Sequence, residues 1–155
     1  MAIIKRGWLG YIADLFYTWQ NGLPAMKCSY TIESLRIPVA EDIKLAANVY
    51  RTDASPPSGT LLVRTPYGID FMPSLALARY FAARGYHVLF NACRGTSGSD
   101  GEREPGTYEV VDGLAVVDWM RQQSWYTGSF GTLGGAYSRC LPSKLTDTRQ
   151  ALIWG

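Results

Sequence analysis

Thiols and imidazoles are few in this 155-residue chain: three cysteines, Cys28, Cys93 and Cys140, and one histidine, His87. A thiol nucleophile needs a neighbouring base, and His87 is the one imidazole available to Cys93 or Cys140. It falls in the middle of an apolar run, Tyr86 to Cys93. A structural residue with its ring hydrogen-bonded locally is therefore expected, not a catalytic base. There is no CxxC pair, and these scattered groups lack zinc-ligand spacing, so no metal site is expected. Gly95-Thr96-Ser97-Gly98-Ser99-Asp100-Gly101 lies where glycine-rich loops can cradle phosphate. It fits neither GxGxxG nor the P-loop, so a structural loop and no cofactor are expected. Gly134-Gly135-Ala136-Tyr137-Ser138 closes an apolar run. Taken alone it reads as a glycine-rich strand-to-helix turn whose central side chain, a methyl group, can attack nothing.

The elements that must position these residues follow from hydrophobic period. Ser29 to Val39 alternates and is rich in β-branched residues, Glu41-Asp42 makes a turn, and Ile43 to Tyr50 reads as the antiparallel partner. Asp53 to Gly59 is a loop by composition. Thr60 to Arg64 and Tyr86 to Cys93 are short continuous apolar runs, as in strands covered on both faces. Between them, Phe71 to Arg84 reads as a helix, with Pro73 near its start and Gly85 just past its end. A second helix is expected from about Tyr108 to Gln123, with Val110, Leu114, Val117 and Met120 on its apolar face. Ser129 to Leu133 is the last strand. A hairpin followed by strand–helix–strand–helix–strand predicts an α/β fold with a mostly parallel sheet.

At the N-terminus Ile4, Trp8, Tyr11, Ile12, Leu15, Phe16 and Trp19 share one helical face. Two readings compete: a helix docking on its own domain, and an amphipathic helix at a membrane surface. The polar face lacks lysines, so docking is favoured and membrane contact is not expected. A hydrophobic content of 47% with 18% charged residues is that of a globular domain, and a net charge of +2 with scattered basic residues gives no nucleic-acid footprint. The odd, sparse cysteine count suits a reducing compartment, the cytoplasm by default.

Four segments acquire a further meaning in order: RIPVAEDIKLAANVYR (36–51), LLVRTPYG (61–68), FAARGYHVLFNACRGTSGSDGE (81–102) and EVVDGLAVVDWMRQQSWYTGSFGTLGG (109–135). With Thr65-Pro66-Tyr67-Gly68, the Arg94-Gly95 loop, Trp119 and Trp125-x-x-Gly128, they resemble the cocaine-esterase/Xaa-Pro dipeptidyl-peptidase (CocE/NonD) family of α/β-hydrolases, over the N-terminal half of that fold. The resemblance implies a serine hydrolase cleaving ester, amide or Xaa-Pro peptide bonds in small-molecule or peptide substrates by acyl transfer. It makes position 136 the nucleophile's place, occupied here by Ala136, and makes the Tyr67 hydroxyl and the Tyr137 N–H the oxyanion donors. The triad acid and histidine that the family places after the nucleophile are not found among the residues following Ala136, which include Asp147 and no histidine. Pro142 also conflicts with the helix expected after the turn. These expectations amount to an N-terminal helix and linker (1–26), a partial α/β-hydrolase domain (27–137) and a divergent tail (138–155) of shifted-frame, intron or alternative-exon origin. The chain is expected to be a truncated or pseudo-enzyme form. The alternatives are a hydrolase active only at full length and a non-catalytic nucleotide- or protein-binding module. The outer edge of strand 129–133 is expected to recruit other chains by self-association.

Overall fold

A computed structural model of the chain describes residues 3–69 and 72–133. Its centre is the hairpin of β2 (Tyr30–Ala40) and β3 (Ile43–Thr52), paired antiparallel from Tyr30↔Thr52 to Pro38↔Lys44 with a register shift between Pro38 and Ala40. Three strands extend it: β4 (Gly59–Thr65), β5 (Tyr86–Ala92) and β6 (Phe130–Leu133). β3 pairs antiparallel with β5, while β4 runs parallel to both β5 and β6. The full order is β1-β2-β3-β5-β4-β6, where β1 (Ile3–Lys5) is a short antiparallel addition beside β2. β1 is not anticipated by the sequence reading, because three residues carry no measurable period and Ile4 fits the helical stripe that follows.

Two helices cover the sheet, which is why β4 and β5 are continuously apolar. α2 (Met72–Ala82) sets Ala78 and Ala82, with Ala83 just beyond, against Tyr50, Leu61, Val63, Val88 and Phe90 on one face. α3 (Glu109–Arg121) sets Val116, Val117 and Met120 against Ile37, Leu45, Val49, Leu62 and Leu89 on the other. The face of α3 is rotated from expectation. Val110 is exposed and Leu114 only half-buried, whereas Glu109, Asp112 and Gly113 are buried. Counting apolar residues misplaces that face because the helix turns two carboxylates inward.

The N-terminal helix α1 (Trp8–Gln20) overturns a second expectation. It does sit against α2, but by its polar side. Asp14 Oδ1 lies 2.7 Å from Arg79 Nε, and Asp14 Oδ2 accepts from the Tyr30 hydroxyl at 2.7 Å and from Arg6 Nη1 at 3.5 Å. The Gly10 carbonyl accepts from Arg79 Nη2 at 2.8 Å. The apolar stripe meant for docking faces away, and none of the helix's residues is buried. One half-buried carboxylate shared by two guanidiniums and a phenol fixes the helix more firmly than a weak apolar contact would, and it dictates which side turns in.

Candidate active site

β4, β5 and β6 are parallel neighbours, with Val63 level with both Phe90 and Leu133, so all three run to one edge of the sheet. In open parallel sheets that carboxyl edge is where ligands bind. Tyr67 stands there, two residues past β4, with 68% of its surface exposed. Its N–H donates to Thr65 Oγ1 at 3.1 Å. The loop it belongs to is fastened to the loop after β5: the Cys93 N–H donates to the Thr65 carbonyl at 2.9 Å and the Ile69 N–H to Ser97 Oγ at 3.2 Å. Ala136 and Tyr137, with Cys140, Pro142 and Asp147, lie outside the described residues.

Several polar groups of the glycine-rich loop bind the hairpin. Asp100 accepts from Arg36 Nη2 at 2.6 Å and from the Lys44 N–H at 3.0 Å, and Ser99 Oγ accepts from the Ala46 N–H at 2.9 Å. Those bonds to the Asp100 carboxylate hold it below the usual carboxylate range, so it carries negative charge where a phosphate would need the opposite. Gly95 has φ +67°, and a Cβ there would lie 2.5 Å from the Arg103 nitrogen, so the turn admits only glycine.

Beneath this edge lies a buried polar cluster that sequence reasoning missed. Arg94 makes a two-point pair with Asp112, Nε–Oδ2 3.1 Å and Nη2–Oδ1 2.6 Å, and its guanidinium stacks 4.1 Å over the Tyr108 ring. Arg64, 4% exposed, donates from Nη1 to the Glu109 carbonyl at 2.7 Å, while its Nε and Nη2 have no hydrogen-bond partner among the described residues. The available signal was two acidic residues in the first turn of α3, spaced to share one face, close in the chain to an arginine that ends a buried strand.

His87 is remote from all this. It pairs with Thr60 near the amino ends of β5 and β4, and five residues of extended strand lie between it and Cys93, about 20 Å along the chain. Its ring meets Trp125 edge-on with centroids 6.2 Å apart, and Nδ1 is buried without a hydrogen-bond partner among the described residues. The local hydrogen bond expected for it is therefore not formed there. Packing holds the ring instead. Burial, reinforced by the Arg51 charge, pushes the imidazole below the usual histidine range. Burial raises the Cys93 thiol, which leaves it protonated and unreactive at neutral pH, and Cys28 is half-buried far along the chain. Among the described residues no three His, Cys, Asp or Glu side chains group as metal ligands, and no helix is long and apolar enough to cross a membrane.

The order β2-β3-β5-β4-β6, with helices on both faces, is that of the first strands of an α/β-hydrolase sheet. Comparison with known proteins agrees. The family model for X-Pro dipeptidyl-peptidase (S15 family) matches residues 41–151, a span that runs past Tyr137 into the segment expected to diverge. The chain is 32% identical over 114 residues to a cocaine esterase from Rhodococcus sp. (strain MB1 Bresler), covering 70% of this chain and 20% of that protein. It is 30% identical over 97 residues to a putative Xaa-Pro dipeptidyl-peptidase from Bacillus cereus, covering 54% and 16%. Among solved structures, a CocE/NonD family hydrolase from Staphylococcus aureus superposes with a TM-score of 0.59 at 23% identity, over 68% of this chain and 23% of that one. The chain belongs to the S15 X-Pro dipeptidyl-peptidase family, and it spans about a fifth of the length of the curated relatives it matches.

Proposed function

We propose that the chain is a non-catalytic form of a serine-hydrolase module whose relatives cleave ester or Xaa-Pro peptide bonds by acyl transfer. In that chemistry a serine oxygen attacks the substrate carbonyl, and donors aimed at the developing oxyanion stabilise it. Tyr67, exposed just past β4, suits the hydroxyl donor, and the Tyr137 N–H is its proposed counterpart. At position 136 the attacking oxygen is replaced by a methyl group, so no acyl-enzyme can form there. The observation that carries this reading is the family match over residues 41–151, which includes that position.

The test is hydrolysis of an activated aryl ester by the chain and by Ala136→Ser, with a burst-phase check for acyl-enzyme. Neither is expected to turn over. A serine hydroxyl stays a weak nucleophile until a base takes its proton, and His87, the one histidine of the sequence, stands near the opposite edge of the sheet. Triad members act as a unit, so restoring one recovers little. Multiple turnovers by either protein would refute both the inactive assignment and the placement of His87 outside the site.

A further inference from the structure

The reversed helix α1 is the largest feature that the hydrolase reading leaves unused. Ile3, Ile4, Trp8, Leu9, Tyr11, Ile12, Leu15, Phe16 and Trp19 are 46–77% exposed. At 100° per residue the seven of these that lie on the helix fill roughly 160° of its circumference, opposite the ridge of Gly10, Asp14 and Thr18 that meets the domain, with the less exposed Tyr17 outside the arc. At about 200 Å² per large side chain, the exposed surface is roughly 1,000 Å², above the few hundred Å² typical of a soluble monomer's largest apolar patch.

We propose that this stripe seats the protein on an anionic lipid surface, with α1 lying flat in the headgroup layer. This goes beyond the hydrolase reading and does not depend on it. Three observations select a bilayer over a protein groove or a second copy. The arc is wider than the narrow seam a paired helix covers, whereas a bilayer boundary can take up all of it. Its most exposed members are Trp8 at 74% and Trp19 at 77%, near the two ends of the helix, and tryptophan is the residue that settles at headgroup depth. The charge is complementary. Within residues 3–29 the only acid is Asp14, turned inward and ion-paired, while Lys5 and Lys27 flank the stripe and are exposed. The absence of lysines from the helix's polar side, which argued against a membrane in the sequence, loses its force because that side is the one packed on α2.

The experiment is co-flotation of the 155-residue chain with phosphatidylcholine vesicles, with and without phosphatidylserine. Binding is expected on the anionic vesicles, with a blue shift of tryptophan emission. The triple variant Trp8→Ser, Phe16→Ser, Trp19→Ser should lose at least tenfold in partitioning with its urea midpoint unchanged, since all three side chains are exposed. Lys5→Glu with Lys27→Glu should lose roughly fivefold per charge on anionic vesicles only. The proposal is overturned if the chain floats with neither vesicle, or if the triple variant floats as well as the parent. A soluble dimer that the triple variant splits, without flotation of the parent, would assign the stripe to a second copy instead.

Discussion

Replacing Asp112 by alanine is expected to cost more than any other polar substitution among the described residues. The Asp112 side chain is 2% exposed and receives both hydrogen bonds of the Arg94 guanidinium, whose side chain is 14% exposed. Breaking a buried pair leaves the other charge uncompensated, at about 3–5 kcal/mol. Arg94 lies in the loop two residues past β5 and retains a route to water, so the lower end, about 3 kcal/mol, is expected. Asp112 also lies in the first turn of α3, where a carboxylate complements the helix dipole and adds a few tenths to the loss. With a urea slope of about 2 kcal/mol per molar, the midpoint should fall by roughly 1.5 M. Tryptophan emission reports this well, because Trp119 and Trp125 pack against the core. Arg94→Met alone removes the charge along with the pair. The double variant should therefore cost about 1–3 kcal/mol less than the two single losses added together. A midpoint shift under about 0.5 M for Asp112→Ala, or strict additivity in the double variant, would refute the claim that this pair locks the strand end to the helix.

Other outcomes follow from the same geometry. His87 has a folded-state pKa below its unfolded value, so the unfolded chain takes up the proton first. Its stabilising contribution is whole above about pH 6.5 and is lost as the pH falls toward the lowered value, and His87→Leu should flatten the slope of unfolding midpoint against pH in that window. Gly95→Ala should cost more than about 1–2 kcal/mol, since it adds a clash with the Arg103 backbone to a left-handed φ; a neutral result in urea denaturation would contradict the turn geometry. Phe90→Ala, at a fully buried position, should cost about 3–5 kcal/mol by the same measurement. Sedimentation velocity should show self-association through the outer edge of β6, which has no partner strand among the described residues, and a clean monomer across concentrations would contradict it.

Much of this architecture was legible because the signals were local. The alternation of Tyr30–Ala40, the apolar runs of Gly59–Thr65 and Tyr86–Ala92, and proline and glycine around Met72–Ala82 each mark an element to within a residue or two. What escaped was long-range and polar. Periodicity shows that α1 has an apolar stripe but not which side faces in; Asp14 decides that by reaching Arg79, 65 positions along the chain (79 − 14). The face of α3 was misread for a related reason: Asp112 is buried because Arg94 waits for it, and hydrophobic counting cannot see a partner. At the carboxyl edge the sequence supplied Tyr67 and the fastening loops, whereas the burial of Arg64, with two donors unpartnered among the described residues, depends on three-dimensional packing that no local pattern records.

The two ends of the sheet are not equivalent. At one end the three-residue β1 covers only Thr31–Glu33 of the eleven-residue β2, so Ser34–Ala40 has no partner strand on that side among the described residues. At the other, β6 presents its outer edge directly beside the most buried strands. An added strand would therefore find seven uncovered residues of β2 at one end and the four of β6 at the other. Two copies meeting β6 to β6 would close as a pair with twofold symmetry, whereas a head-to-tail array would pair β6 with the uncovered length of β2. The length of β2 left open beside β1 thus decides whether an edge association would stop at a pair or propagate.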